Sequence, residues 1–541
     1  MSSSQKELMN LTLAEVAAML GDSASNDLNA TNTKGVSRII GNESAGVQRI
    51  QMDSRNVQVG DLFIALKGER FDAHDFLKDI ATVEGVCALV KENASESVLS
   101  LSINAICVED TLACLGQLAA AWRLKHMVPL IAVTGSNGKT TVTQMIASVL
   151  KEHAGEDALA TKGNLNNNIG VPQTLLRLRA HHTCAVAELG MNHPGEIAYL
   201  ADLVKPSVAL VNNAQREHQE FMNSVEAVAI ENAQVIKSLT KDGIAVFPAD
   251  DEYSALWASM CEQNKYMTFS TGQVFAQSSF ALGAEVKRDS DICLLSADFS
   301  GGGWHIKVKT PLGIVETKLQ IAGQHNVKNA LAAISSCIAM GVPLDEISKG
   351  LESFEPVKGR SRSVELKIGE RAIVVVDDTY NANPDSVLAA IDVLSSMSVP
   401  RLLVLGDMGE VGSEGPQYHT EVGTYAASKG VTALYAVGEL TKHSVIAFNN
   451  ALKEFDVQSN HHKHDQKRGL HFDSMQALNS EIKNISVIYT SLLVKGSRFM
   501  KMENFVSEIE KLSQIKTSSI ANLNTHPNAL KSAHIEEGAC S

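Results

Sequence analysis

The pattern of hydrophobic and polar residues predicts a strand, a loop and a helix near residue 130. An apolar run at 128–133 is typical of a buried strand. A loop with two glycines follows, and apolar residues then recur on one helical face to about Glu152. The residues on that face are Met145, Ile146, Val149 and Leu150. Strand followed directly by helix is how a unit of a parallel sheet begins.

The alternation of strands and helices continues through most of the chain. Buried strands are predicted at 184–189 and 208–212, and a second alternating pattern starts near Val357. Its predicted strands are 372–377, 401–405, 433–437 and 487–494. We therefore expect an α/β protein of three domains: a small mixed α/β domain at 1–127, a central domain with a mostly parallel sheet at 128–356, and a Rossmann-like α/β domain at 357–516. Residues 517–541 lose periodicity and are predicted to be a disordered tail.

The loop after the first strand has the composition of a phosphate-binding loop. Its residues are Gly135, Ser136, Asn137, Gly138, Lys139, Thr140 and Thr141. The glycines let backbone N–H groups turn inward, and the helix N-terminus adds partial positive charge. The lysine is suited to the outer phosphates and the Thr140 hydroxyl to Mg²⁺. The spacing G-x-x-G-K-T-T is tighter than the common G-x-x-x-x-G-K-[ST]. A plain strand-to-helix turn is the alternative, but it does not require these residue types together. We therefore predict that the central domain is a P-loop ATPase domain.

Composition and charge exclude several protein classes. The chain has 541 residues, 44% of them hydrophobic and 20% charged, which suits an ordinary globular protein. A net charge of −14 argues against a general nucleic-acid binder. The N-terminus has no apolar signal-peptide core, and no apolar run approaches the ~18 residues of a membrane span. The eight cysteines form no C-x-x-C pair, as expected of reduced thiols in a cytoplasmic protein.

Polar residues follow several predicted strands, where open α/β sheets bind ligands. Glu188, His218 and the pair Asp377-Asp378 each come after an apolar run. Each alone has a simpler explanation as a cap, a surface histidine or a turn, but together with the phosphate loop they indicate a Mg-nucleotide site. The histidines at 461, 462 and 464 are interpreted as a solvated loop, because no acidic or cysteine cluster accompanies them.

Longer motifs make the chain similar to the Mur ligase family from its N-terminus to about Leu512. The segments 53–55 and 60–76 resemble the family's uridine-nucleotide module, and 163–172, 188–193 and 323–330 resemble its ATPase domain. The segments 359–360, 377–384, 405–408 and 494–498 resemble the link to the third domain and that domain itself. Within the family, N-L-N-N-N-I-G-V-P and D-T-Y-N-A-N-P favour the members that add D-alanyl-D-alanine to UDP-N-acetylmuramoyl-tripeptide.

The resemblance implies an ATP-dependent peptide ligase of peptidoglycan precursor synthesis. The substrate carboxylate would attack ATP to give an acyl phosphate, which the dipeptide amine then attacks. Lys139, Glu188, His218 and Arg360 would be catalytic. Thr140 and Glu188 would hold one Mg²⁺, and Glu188 and His218 a second. For ATP, Asn326 would approach the adenine, Arg360 the phosphates and Asp378 the ribose.

The resemblance also implies residues that bind the other substrates. They are Ser54, Arg55, Lys67, Asn164, Asn166, Asn167, Tyr380, Asn381 and Lys495. Tyr380 and Asn381 are expected in the dipeptide pocket. Asn232 departs from the family pattern, because many relatives have there a carbamylated lysine that serves the second Mg²⁺.

The remaining expectations concern the binding partners of the protein and its alternative functions. We expect a cytoplasmic monomer that uses UDP-N-acetylmuramoyl-tripeptide, D-alanyl-D-alanine, ATP and Mg²⁺, without nucleic acid or a membrane span. The alternatives are a sister Mur ligase, a folate-type glutamate ligase, or a regulatory nucleotide-binding protein without ligase activity. The third residue of the acceptor peptide stays open.

Overall fold

The computed structural model of the protein describes residues 8–22, 38–68, 70–217, 220–222, 224–272, 290–300, 303–368, 371–459 and 469–523. The chain forms two compact units. The first comprises Met1–Gln320 and Gln324–Glu355, and the second Ile321–Gly323 and Pro356–Ser541. Within the described residues, no helix is both long and apolar enough to cross a membrane.

The first unit begins with a small mixed α/β region. Its strands are β1 (Leu11–Thr12), β2 (Arg38–Ile40), β3 (Gly46–Val47), β4 (Arg49–Gln51), β5 (Asp61–Ile64), β6 (Cys87–Lys91) and β7 (Asn104–Val108). Its helices are α1 (Leu13–Asp22), α2 (Leu77–Ile80), α3 (Ser95–Ser100) and α4 (Thr111–Lys125). The five-stranded sheet has the order β2-β7-β6-β5-β4, and only β2 runs antiparallel to its neighbour. The remaining two strands, β1 and β3, pair as an antiparallel ribbon.

A nine-stranded sheet forms the rest of the first unit. Its strands are β8 (Leu130–Thr134), β9 (Ala158–Ala160), β10 (Cys184–Glu188), β11 (Val208–Val211), β12 (Ile244–Pro248), β13 (Lys265–Ser270), β14 (Ile292–Ser300), β15 (Gly303–Thr310) and β16 (Gly313–Leu319). The sheet order is β16-β15-β14-β13-β12-β11-β8-β10-β9. The seven strands β8 to β14 are parallel to one another, and β15 and β16 continue from β14 as an antiparallel edge. The predicted mostly parallel sheet is confirmed. Because β8 lies between β10 and β11, its carboxyl end is a switch point where ligands bind in such folds.

Helices cover this sheet. They are α5 (Lys139–Ala154), α6 (Gly170–Leu175), α7 (Glu196–Val204), α8 (Val225–Asn232), α9 (Gln234–Lys237), α10 (Ser254–Met260), α11 (Gln324–Met340) and α12 (Leu344–Glu352). The side chains of α5 that the sequence placed on one face, Met145, Ile146, Val149 and Leu150, are fully buried. Burial of that apolar face, more than helix propensity, stabilises the helix.

The second unit is a doubly wound α/β sheet. Its strands are β17 (Arg362–Ile368), β18 (Arg371–Asp378), β19 (Arg401–Gly406), β20 (Ala433–Val437), β21 (Gly469–Phe472) and β22 (Ser491–Lys495), in the order β17-β18-β22-β19-β20-β21. Its helices are α13 (Pro384–Ser395), α14 (Gly415–Ser428), α15 (Thr441–Ser459), α16 (Met475–Ser480), α17 (Ile482–Ile488) and α18 (Glu503–Leu523). Only β17 is antiparallel. The α/β class and the Rossmann-like third domain are confirmed.

The structure differs from the sequence predictions at two element ends. The strand predicted at 487–494 starts only at Ser491, because residues 482–488 form α17 and bury Ile482 and Ile485 at helical spacing. Helix α18 extends to Leu523, past the start of the predicted tail at 517. The remainder of that tail, and the histidines at 461, 462 and 464, lie outside the described residues.

One buried arginine connects the first region to the central sheet. Arg123, near the end of α4, is 1% exposed, and burial lowers its pKa to about 10. Its guanidinium donates to the carbonyl oxygens of Val204 at 2.8 Å, His126 at 2.6 Å and Val128 at 2.9 Å. These carbonyls lie at the ends of α4 and α7, where a positive charge is favoured. The arginine therefore connects the carboxyl ends of α4 and α7 to the segment that precedes β8.

We predict that Arg123→Met destabilises the first unit by about 3 kcal/mol, because it leaves one buried and two partly buried carbonyl oxygens without this donor. Thermal unfolding monitored by calorimetry should show the transition of this unit lowered by roughly 5 °C or more. Lys125→Met is the matched control, since Lys125 is exposed in the same helical turn. An equal effect of both changes would contradict the role of the buried contacts.

Candidate active site

The predicted phosphate loop lies at the carboxyl end of β8. Gly135 and Gly138 both have positive φ angles, +129° and +82°, and Gly138 is the residue that precedes α5. A Cβ at Gly138 would lie 2.5 Å from Oδ1 of Asn329 and 2.8 Å from Nδ2 of Asn212. Both the backbone conformation and the lack of space therefore require glycine there.

Asparagines hold the loop in its conformation. Asn213 accepts from the Asn137 amide at 2.9 Å, and Asn212 donates to the Asn137 carbonyl at 2.8 Å. Asn212 also donates to Asn329 at 3.0 Å, and Asn329 donates to Asn326 at 2.9 Å. Asn326, predicted near the adenine, is thereby connected to the loop through side-chain amides. Sequence reasoning missed Asn212, Asn213 and Asn329, although Asn212 ends a predicted strand and Asn213 directly follows it.

The loop lysine is bound within its own loop. Lys139 donates to the carbonyl oxygens of Gly135 at 2.5 Å and Ser136 at 3.1 Å. Its Nζ also forms an ion pair with Glu217, at 3.2 Å from Oε2. Glu217 was not predicted as a site residue, although it precedes His218, which lies outside the described residues.

The residues predicted for the first Mg²⁺ fit such an ion. The Thr140 hydroxyl donates to Oε1 of Glu188 at 3.0 Å, and Asn166 donates to the same oxygen at 2.8 Å. The other oxygen, Oε2, is buried and has no hydrogen-bond partner. A hydroxyl beside a carboxylate that has one unsatisfied oxygen is a ligand set suited to Mg²⁺ with substrate phosphates. No group of three His, Cys, Asp or Glu side chains that would hold a metal alone occurs among the described residues.

The three asparagines of the first unit that are predicted to bind substrate, Asn164, Asn166 and Asn167, lie in different surroundings. Asn167 accepts from the amides of Ile169 and Gly170 and thus caps the start of α6. Asn164 is exposed in the same loop. Asn166, by contrast, contacts Glu188, and its amide nitrogen would lie 2.8 Å from a Cβ at Gly190 and leaves no room for a side chain there. Among the three, only Asn166 thus joins the cluster around the phosphate loop.

The residues predicted to bind the uridine nucleotide lie in the first region. Ser54 and Arg55 form a single helical turn that Asp53 caps. Arg55 forms two side-chain hydrogen bonds to Asp53, at 2.8 and 2.6 Å, and these lower the pKa of Asp53 to about 2. Lys67 pairs through its backbone with Asp72. Their roles in substrate binding stay predictions.

A second cluster of predicted residues lies at the carboxyl ends of β18 and β22 in the second unit. Lys495, 4% exposed, forms an ion pair with Asp378 at 2.6 Å and donates to the Asn381 carbonyl at 2.9 Å. The guanidinium of Arg360 stacks on the Tyr380 ring at 4.0 Å. Arg498, which sequence reasoning missed, lies 5.6 Å from the centre of the same ring.

Ser497 joins the three loops that surround this cluster. Its hydroxyl donates to the Ala382 carbonyl at 3.1 Å and accepts from the Gly409 amide at 2.6 Å. Its amide donates to the Asp407 carbonyl at 3.0 Å. The loops after β18, β19 and β22 are thus held together by one residue, which accounts for the serine in the segment 494–498.

Comparison with known protein families identifies three matching regions. Residues 46–123 match the model described as Mur ligase family, catalytic domain, and residues 133–337 match the Mur ligase middle domain. Residues 360–498 match the model described as Mur ligase, glutamate ligase domain. The chain is also 35% identical over 466 residues to UDP-N-acetylmuramoyl-tripeptide–D-alanyl-D-alanine ligase of Escherichia coli strain K12, a match that covers 85% of this chain and 93% of the relative. The chain belongs to the Mur ligase family.

Further Mur ligases support the assignment. The enzyme of the same name from Haemophilus influenzae is 36% identical over 475 residues, covering 87% of this chain and 96% of the relative. The crystal structure of MurF from Acinetobacter baumannii has 31% identity and a TM-score of 0.77, covering 93% of this chain and all of that one. The expected three-domain Mur ligase fold is therefore confirmed. The boundaries predicted for the individual domains stay predictions.

We predict that Gly138→Ala weakens ATP binding more than tenfold, because a methyl group there displaces the loop from Asn212 and Asn329, at a cost of at least about 1.4 kcal/mol. Gly155→Ala is the matched control at the other end of α5, where φ is also positive, +58°, but no atom lies within 4 Å of the added Cβ. Both changes should lower stability slightly. Calorimetric titration with ATP should separate them, and equal affinities would show that the close approach is unimportant.

Proposed function

We propose that this protein joins D-alanyl-D-alanine to UDP-N-acetylmuramoyl-tripeptide in the cytoplasm, with conversion of ATP to ADP and phosphate. The observation that carries the proposal is similarity to ligases of that name over 85–87% of the chain. The glycine loop, Lys139, Thr140 and Glu188 support the ATP chemistry. The proposed product is UDP-N-acetylmuramoyl-pentapeptide.

The first step in this proposal is phosphoryl transfer to the terminal carboxylate of the tripeptide. Two anions must approach each other, so the reaction requires positive charge and backbone N–H groups around the phosphates. The loop amides and Lys139 supply them in the first unit. Thr140 and Glu188 would hold Mg²⁺, which supplies further positive charge at the phosphate oxygens when bound. We also propose that Arg360 contacts phosphate and Asp378 the ribose, as the family resemblance implies.

The second step is attack by the dipeptide amine on the acyl phosphate. We propose that Tyr380, Asn381 and Lys495 line the dipeptide pocket. Lys495 already neutralises Asp378 and is nearly buried, so its charge is committed within the protein. Arg498 lies beside the Tyr380 ring and is 66% exposed, and it uses one nitrogen to bind Glu503 at 3.1 Å. Because a guanidinium has five N–H donors, Arg498 retains donors for the dipeptide carboxylate.

The proposed reaction is tested by phosphate release. We expect ADP and phosphate only when ATP, UDP-N-acetylmuramoyl-tripeptide and D-alanyl-D-alanine are all present. Single amino acids in place of the dipeptide should give no product, because their amine lies too close to the carboxylate for one molecule to bind the pocket through its carboxylate and also reach the acyl phosphate. Lys139→Ala should lower turnover at least about a hundredfold while circular dichroism stays unchanged, since loss of a phosphate-binding cation costs about 3 kcal/mol or more.

The control for that variant is Lys151→Ala, an exposed lysine on the same helix. Normal turnover of a folded Lys139→Ala protein would contradict the ATP chemistry. Product formation with a single amino acid would instead favour a sister Mur ligase or a folate-type glutamate ligase.

A second prediction concerns Arg498. Loss of a charge-assisted hydrogen bond costs about 1.5–3 kcal/mol, so Arg498→Gln should raise KM for the dipeptide roughly tenfold to a hundredfold. KM for ATP should not change. Wild-type enzyme should prefer D-alanyl-D-alanine to D-alanyl-D-alaninamide, and the variant should lose this preference because the amide lacks the carboxylate charge. Lys442→Gln, which removes an exposed cation of the same unit, should preserve the preference. A variant that still discriminates would disprove the contact.

A further inference from the structure

Glu217 is a buried carboxylate in the phosphate-binding region. Its side chain is 5% exposed, and Oε2 lies 3.2 Å from Nζ of Lys139. Its other oxygen, Oε1, lies 3.5 Å from Nδ2 of Asn232. The carboxylate therefore contacts both the phosphate-binding lysine and the residue that departs from the family pattern.

Asn232 connects this carboxylate to the phosphate loop. Asn232 is 1% exposed, and its Oδ1 accepts from the Gly135 amide at 2.8 Å. The Thr134 hydroxyl donates to the Asn232 carbonyl at 3.1 Å. With its oxygen bound to the loop, the amide of Asn232 points its N–H₂ group toward Glu217. The neutral side chain at position 232 thus orients a neighbouring anion.

A bound triphosphate changes the charge balance at this place. Lys139 neutralises Glu217 in the structure, yet the same ammonium group is the loop cation for the outer phosphates. If Lys139 turns to the phosphates, the buried carboxylate loses a cation while new anions arrive beside it. Such an arrangement is strongly unfavourable unless another cation enters. Mg²⁺ is suited to this, since it binds one or two carboxylates together with substrate phosphates.

We propose that Glu217 exchanges Lys139 for Mg²⁺ when ATP binds, and thereby supplies the anionic oxygen that completes the metal site in this chain. The inference rests on the proposed binding of Mg-ATP. Its consequence is that Glu217 opposes nucleotide binding without metal and favours it with metal. A residue with only a structural role would change both affinities in the same direction.

The test is calorimetric titration with the non-hydrolysable analogue β,γ-imido-ATP, in EDTA and in Mg²⁺. Glu217→Gln should bind the analogue several-fold more tightly than wild type in EDTA, because Lys139 is released and a negative charge is gone. In Mg²⁺ the variant should bind more weakly than wild type. Glu226→Gln, an exposed carboxylate of α8, should match wild type in both conditions. Parallel changes of the Glu217 variant in both conditions would overturn the proposal, whereas absence of binding by every protein would contradict the proposed function itself.

A second variant provides a test that does not depend on Glu217→Gln. Lys139→Gln removes the ammonium group that pairs with Glu217, so Mn²⁺ should bind this variant several-fold more tightly than wild type without nucleotide. Electron paramagnetic resonance of free Mn²⁺ measures this directly. The double variant Lys139→Gln, Glu217→Gln should lose the gain. An unchanged Mn²⁺ affinity in Lys139→Gln would overturn the exchange.

Dissolved carbon dioxide provides a further comparison. If Glu217 supplies the anionic oxygen, enzyme activity in CO₂-depleted buffer should equal activity with added bicarbonate. A reversible, several-fold loss on depletion would show that a carbamylated lysine supplies the charge instead, and would overturn the assignment to Glu217.

Discussion

The close approach of the phosphate loop to the asparagines around it is the constraint on which the first unit depends. A loop that turns its amides toward a ligand cannot satisfy its remaining backbone groups by itself. Asn212 and Asn213, at the end of β11, and Asn232, at the end of α8, make these hydrogen bonds. The side chains of Asn212 and Asn329 lie so close to the backbone at position 138 that only glycine fits there. The conformation of the phosphate loop therefore depends on where β11 and α8 place these asparagines.

Each of the two units contains an ion pair in which one partner is buried and the other is partly buried. Lys139 pairs with Glu217 in the first, and Lys495 with Asp378 in the second. Each lysine lies just beyond the carboxyl end of a central strand or at its last residue. Charges in such surroundings are held in place by their partners and are weakly screened by salt. A substrate that recruits one of these lysines must also change the state of its carboxylate, which makes binding dependent on other cations.

The remaining contacts explain why the first region and the central sheet form one compact unit. A continuous apolar core extends from Leu13 and Val16 of α1 to Leu130 and Ala132 of β8. Trp122 donates from its indole to the Leu178 carbonyl at 3.0 Å, and Arg123 binds carbonyls of both parts. The residues predicted to bind the uridine nucleotide therefore belong to the same compact unit as the phosphate loop.

The sequence by itself determined what depends on local pattern. The apolar run before Gly135 and the helical spacing after Lys139 predicted β8 and α5, because periodicity reports which face is buried. Long motifs also predicted the family, and the roles they assign to individual site residues stay predictions. The tertiary structure alone decided which distant residues meet. Glu217 contacts Lys139 across 78 positions, and Asn329 reaches Asn212 across 117. It also decided that residues 487 and 488 belong to a helix, because a short apolar segment suits either element until its neighbours select the buried face.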